Sequence, residues 1–149
     1  EEYFQQGRLK VDPTRLKERV TLHDPCNTVR QGGISEPQRS ILRRCVSDFV
    51  EMTPHGAENF CCGGGGGQLA MAEYRQKRLQ AGGVKAEQIR ATGARIVVAP
   101  CHNCIDQLME LNREYKLGVV IKTVAEIVAD ALILPPAPSS DKENHDVAC

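Results

Sequence analysis

The chain lacks net charge and lacks any long apolar run, and each absence removes a class of function. Nineteen Lys and Arg are balanced by nineteen Asp and Glu over 149 residues, so no overall basic field exists to hold nucleic acid or an anionic membrane surface. No apolar stretch approaches the roughly 20 residues that cross a bilayer, and none has the form of a secretory signal peptide. The expectation is a soluble domain without a membrane span of its own, free to dock on a membrane subunit. With 41% hydrophobic and 26% charged residues, the composition suits one domain of roughly 100 to 150 residues with its own core.

What the chain does have is cysteine in a particular order. Cys26, Cys61, Cys62, Cys101 and Cys104 form the pattern C-x34-C-C-x38-C-x2-C, and five glycines, Gly63 to Gly67, follow the adjacent pair. One Cys-x-x-Cys serves equally as a redox dithiol or as half a zinc site. A vicinal pair and a lone upstream cysteine add more thiolates than one tetrahedral ion uses, which favours an iron–sulfur cluster over zinc. The chain has seven cysteines in all; the odd count and the spacing argue against a disulfide framework and for a reducing cytoplasm. Cys45 lies on an apolar helix face and reads as core, and Cys149, in a polar tail, reads as incidental.

The order of elements alternates. Arg19 to His23 reads as a strand running into Asp24-Pro25, residues 36 to 46 as a helix opened by a Ser35-x-x-Gln38 capping box, and Asp48 to Met52 as a second strand. Residues 68 to 80 and 84 to 92 favour helix, broken by Gly82-Gly83 and closed by Gly93. Arg95 to Ala99 is the clearest buried strand, and Cys101 to Cys104 opens a helix whose core face would use Ile105, Leu108 and Met109. Val119 to Lys122 is a last strand; Thr123-x-x-Glu126 then caps a helix with Val124, Ile127, Val128, Ala131 and Leu132 on one side. This pattern predicts an α/β fold, a small flavodoxin-like three-layer domain with a parallel four-stranded sheet. In such sheets ligands bind beyond the carboxyl ends of the strands, and each cysteine group follows a strand. Residues 19–134 are the expected domain and 135–149 a disordered tail. The chain begins at Glu1, and residues 1–18 read as the end of a preceding region.

Glycine permits close backbone approach and positive φ, so the Gly63 to Gly67 run is suited to wrap a cofactor, Gly63 and Gly64 nearest. Helices opening near Gln68 and Cys104 would place positive dipole ends beside thiolates. No Gly-Lys-Ser/Thr follows the run, so a phosphate loop is discounted. His23, His55 and His102 lie near the cysteines in sequence, and each has two readings, a proton source or an ordinary hydrogen-bonded residue. His55 and His102 are the candidate catalytic groups.

Together, Cys26, Cys61-Cys62-Gly63 and Cys101-His102-Asn103-Cys104 resemble the signature of the cysteine-rich CCG domain of the B-type heterodisulfide reductase subunits and their relatives, over about residues 8 to 134. The Ala-Pro-Cys-His-Asn-Cys and Cys-Cys-Gly-Gly-Gly-Gly-Gly stretches are most similar to the C-terminal half of the iron–sulfur subunit, of the sulfite-reductase-associated K type, in sulfate-reducer transmembrane redox complexes. The resemblance implies a non-cubane 4Fe-4S cluster held by the five cysteines and able to cleave a disulfide by one-electron steps. It also implies partner subunits of a membrane-associated redox complex at its cytoplasmic face, and a small sulfur-carrier protein as a candidate partner. Family members usually carry two copies of the motif, and this chain carries one. Other relatives pass electrons towards quinone, so an electron relay stays open beside a disulfide reductase. A structural zinc domain is the third alternative, and zinc is a plausible substitute metal in an isolated fragment.

Overall fold

A computed structural model describes residues 1–134; the tail expected at 135–149, with Cys149, lies outside the described residues. Four short strands, β1 (Val20–Leu22), β2 (Phe49–Val50), β3 (Ile96–Val98) and β4 (Val120–Lys122), form one sheet in the order β2-β1-β3-β4. Every pairing is parallel, with Val20 opposite Phe49 on one side and opposite Ile96 on the other, and Ile96 opposite Val120. The chain therefore moves outward from β1 in both directions, which leaves a crevice at the carboxyl ends of β1 and β3.

Helices supply the outer layers. They are α1 (Glu2–Gln5), α2 (Glu36–Cys45), α3 (Arg75–Ala81), α4 (Gly83–Thr92), α5 (His102–Glu114) and α6 (Val124–Ala131). Because side chains alternate along a strand, Val20, Leu22, Ile96 and Val98 enter one core with Leu42 and Cys45 of α2 and Ile127 and Ala131 of α6. Val97 and Ala99 enter the opposite core with Leu79, Ile89, Leu108 and Leu111 of α3, α4 and α5. This is the three-layer α/β domain that the alternating pattern predicts. No described helix is long and apolar enough to cross a membrane.

Several local expectations are corrected. Thr123 does cap α6: its Oγ1 accepts from Glu126 N–H at 3.1 Å while Glu126 Oε2 accepts from Thr123 N–H at 2.7 Å. Ser35 makes no side-chain cap bond: its backbone, at φ −116° and ψ −30°, lies in the helical region and not in the extended one that a capping side chain uses, and the Gln38 amide donates to the Ile34 carbonyl at 2.7 Å. The helix expected from Gln68 begins at Arg75, since the segment leaving the glycine run takes two 3-10 turns, Gln68–Ala70 and Ala72–Tyr74, first. On α5 the buried face is Cys104, Gln107, Leu108 and Leu111, and Met109, expected inside, is 41% exposed. Spacing of i, i+3, i+4 and i+7 from Cys104 defines that face, and Met109 lies off it.

Candidate metal centre

Three loops reach the crevice, each fed by a strand end. After β1, Asp24-Pro25 leads into a π-helical turn, Cys26–Gln31, that begins with Cys26. After β2, a loop carries Cys61-Cys62 and the glycines; after β3, Cys101 stands at the N-cap of α5 and Cys104 in its first turn. Cys26, Cys61, Cys62, Cys101 and Cys104 all line one cavity of about 80 Å³, with Gly64, Gly65 and Asn103 also on its wall. Cys45 is fully buried in the opposite core, away from this cavity.

Polar residues far apart in sequence hold the loops together. The Asp24 carboxylate accepts two bonds from Arg39, at 2.8 and 2.6 Å, and a third from the Gly56 N–H at 2.7 Å. Asn59 Nδ2 donates to the Asp24 carbonyl at 2.5 Å, so the Cys26 loop and the Cys61-Cys62 loop are tied at two points. Arg39 also pairs with Glu51 at 2.8 Å; burial lowers its affinity for the proton, but its bonds to Asp24 and Glu51 outweigh that and keep it charged. Lys85, fully buried, donates to Asn59 Oδ1 and Gln88 Oε1 and lies 3.6 Å from Met52 Sδ. Burial pushes its ammonium down to about 8, against the raising pull of Cys62 and Asp24.

The glycines show why the sequence needs them. A Cβ on Gly64 would lie 2.7 Å from Gln107 Cβ, and one on Gly63, at φ +90°, would lie 2.8 Å from the Arg78 carbonyl. Gly82 closes the same contact from α3, where a Cβ would meet the Cys62 carbonyl at 2.7 Å. Gln107, fully buried, donates to the Cys62 and Arg78 carbonyls at 3.0 and 3.2 Å and accepts from Arg78. These contacts press the Cys-Cys-Gly backbone onto α5, and the Gly63 N–H donates to Cys61 Sγ at 3.3 Å.

The thiols perturb one another. Cys62 is pushed up to about 12, first by its hydrogen bond to Cys104, and Cys61 is pushed up further, first by its hydrogen bond to Cys62 and then by burial. Burial, then the hydrogen bond with Cys61, also raises Cys26. Thiols that hydrogen-bond one another in a partly buried cavity resist ionisation, and cations bound among them favour the thiolates. That donor set, soft, anionic and more numerous than four, suits a multi-metal cluster.

The histidines separate. His55 and His102 do not line the cavity: His55 Nδ1 faces the Met52 carbonyl at 3.1 Å, and His102, largely exposed, faces Asp106 at 3.5 Å. His23 is fully buried, and one of its ring nitrogens lies with the sulfurs of Cys62 and Cys104 in a group whose members are all within 4.8 Å of one another. Sequence reasoning did not single out Asp24, Arg39, Asn59, Arg78, Lys85 or Gln107. For the four on helices, Arg39, Arg78, Lys85 and Gln107, the one sequence signal is a charged or amide residue on the face that turns inward; Asp24 and Asn59 lie in loops and carry no such signal.

Comparison with known proteins bears on this site. The family model of the cysteine-rich CCG domain matches residues 20–109, and the chain belongs to that family. A protein of Chromohalobacter salexigens named "Probable membrane-anchored ferredoxin" is 33% identical over 97% of this chain and 21% of its own length. The Hdr-like menaquinol oxidoreductase iron-sulfur subunit of Archaeoglobus profundus is 31% identical over 85% of this chain and 24% of its own length. One subunit of the dihydromethanophenazine:CoB–CoM heterodisulfide reductase of Methanosarcina mazei is 31% identical over 87% of this chain and 31% of its own length. The chain thus spans about a fifth to a third of these relatives. No solved structure matches it significantly.

Proposed function

We propose that this member of the CCG family acts as part of an iron–sulfur subunit in a heterodisulfide-reductase-like redox complex. In this reading residues 19–134 form the cysteine-rich domain, and Cys26, Cys61, Cys62, Cys101 and Cys104 hold a non-cubane 4Fe-4S cluster that reduces a disulfide or related sulfur substrate. The observation that carries it is the convergence of all five thiols on one cavity. The fit is supported by two further features: Gly63 and Gly64 bring backbone where a side chain has no room, and α5 starts at the cavity with its positive end.

When bound, the cluster supplies one-electron transfers at a sulfur-rich surface. Breaking one disulfide consumes two electrons and two protons and yields two thiols. The electrons come from partner subunits, placed at the cytoplasmic face of a membrane. The protons come from solvent, to which Cys61 is exposed, with His102 on the outer side of α5 as a relay candidate. A small sulfur-carrier protein is one substrate of suitable chemistry. A second reading, an electron relay to or from quinone, is favoured by the relatives named as a ferredoxin and as a menaquinol oxidoreductase.

Anaerobic reconstitution with iron and sulfide tests the cluster: about four irons and four sulfides per chain are expected, and they should be lost in Cys61→Ala and Cys62→Ala. Zinc that iron and sulfide cannot displace would reject it in favour of a structural zinc domain. Adding a disulfide or persulfide substrate to the oxidised protein should change its EPR and visible spectra. Quinone-linked electron transfer with no spectral response to any sulfur compound would leave only the relay.

A further inference from the structure

His23 directly follows β1, where its N–H still bonds the Val98 carbonyl at 2.8 Å, on the side of the sheet that carries the cysteines. Val20 and Leu22 enter the core beneath α2 and α6, so strand alternation sends Thr21 and His23 to the other face, with Val97 and Ala99. There the imidazole is 0% exposed. Neither Nδ1 nor Nε2 has a hydrogen-bond partner among the described residues. One ring nitrogen is within 4.8 Å of both Cys62 Sγ and Cys104 Sγ.

Buried polar atoms in folded proteins are almost always paired, and an orphaned ring nitrogen lying beside the sulfurs of Cys62 and Cys104 implies a partner that arrives with the ligand. The imidazole ring always carries at least one N–H, and in its neutral form one lone pair as well. The five cysteines already supply thiolates in excess, so the N–H is the useful half. Resting on the iron–sulfur reading above, we propose that His23 donates its ring N–H to the metal-bound sulfur of Cys62 or Cys104 and thereby raises the reduction potential of the cluster. A hydrogen bond to a liganding sulfur draws off negative charge, which favours the reduced, more electron-rich state. His23 is a positioning and tuning residue, and it forms no bond to metal.

The test reads potential and magnetic coupling instead of turnover. His23→Leu should keep its iron and sulfide while its reduction equilibrium shifts about tenfold towards the oxidised form, about 59 mV for one electron. His23→Gln, which restores an N–H donor, should recover part of that shift. Pulsed EPR of wild-type protein made with 15N-labelled histidine should show a weakly coupled nitrogen that persists in His102→Ala. This measurement decides the matter if His23→Leu fails to hold the cluster. An unchanged potential in an intact His23→Leu cluster, a coupling of the size given by a direct ligand, or no histidine coupling would each overturn the inference. If wild-type protein binds no iron–sulfur cluster, the proposed function fails and takes this inference with it; a wild-type cluster indifferent to His23 sinks the inference alone.

Discussion

The two faces of the sheet are built by different rules. Beneath α2 and α6 the core cluster is made of apolar side chains and one thiol, Cys45. On the other face, Val97, Leu108 and Leu111 share the interior with fully buried His23, Lys85 and Gln107 and with nearly buried Arg78 and Asn59. The first face costs little to fold, because burying aliphatic surface is favourable without geometric conditions. The second buries groups that are costly unless each meets a partner. Their partners are the loops that carry the cysteines: Asn59 bonds Asp24, Lys85 bonds Asn59, and Gln107 bonds the Cys62 carbonyl. One side of the molecule supplies stability, and the other spends part of it to hold three loops in register.

The comparison breaks most sharply under a change on the apolar side. Leu42 is 0% exposed and packs between α2 and the sheet, so Leu42→Ala should cost about 2–5 kcal/mol of unfolding free energy. Urea titration of the metal-free chain measures it. Iron bound per folded chain should stay at the wild-type value, because none of the five cavity cysteines belongs to that core and the substitution leaves the Arg39–Asp24 pair, the link from α2 to the Cys26 loop, in place. A loss of metal in protein that remains folded would show that the two faces are not independent.

A smaller change on the site side should show the reverse. In Gly64→Ala the new methyl meets Gln107 Cβ at 2.7 Å, and one of the two backbones must move. Overpacking of this kind costs about 1–3 kcal/mol, and whichever element moves carries a cavity cysteine, Cys62 on the loop or Cys104 on α5, so cluster retention should fall more than stability does. Gly65, one residue on, has open space where its Cβ would stand. Gly65→Ala should change stability by no more than about 0.5 kcal/mol and lower metal content less than Gly64→Ala does. Equal metal loss in the two variants would mean that the glycines act through flexibility and not through close contact.

The same division explains what the sequence discloses. The strands, their order along the chain and the apolar helices are legible because Leu42, Cys45, Ile127 and Ala131 recur at helical spacing. The five cysteines are legible because each group follows a strand, and a parallel sheet brings strand ends to one edge. The bracing of the site is not. Gln107 takes a core position on the Cys104, Leu108 and Leu111 face of α5, where an aliphatic side chain would be expected, because two carbonyls, 45 and 29 residues away, need a donor. Lys85 is buried for a partner 26 residues back, and Asp24 for a backbone N–H 32 residues on. Local pattern cannot register such pairs, since neither member is unusual until the fold brings them together. The cap at Ser35 fails on backbone conformation: Ser35 lies in the helical region, Gln38 bonds the Ile34 carbonyl, and the box that its spacing suggests never closes.

The smallest effect sets the two capping sites against each other. Thr123 and Glu126 exchange both bonds of a capping box, and the Thr123 backbone N–H, then its hydroxyl, hold the Glu126 carboxyl below its ordinary range. Thr123→Ala removes the hydroxyl that accepts the Glu126 N–H and should cost about 1 kcal/mol. Ser35 has the same apparent signature and no cap bond, so Ser35→Ala should lie within about 0.5 kcal/mol of wild type. The loosened helix, α6, rests on α2 and the apolar core through Ile127 and Ala131. The cluster should therefore assemble in Thr123→Ala to the same extent and with the same EPR spectrum as in wild type. A spectrum altered by this distant cap, at so small a cost in stability, would mean that strain on the apolar face reaches the cysteine loops through the sheet, and the separation of the two faces would have to be given up.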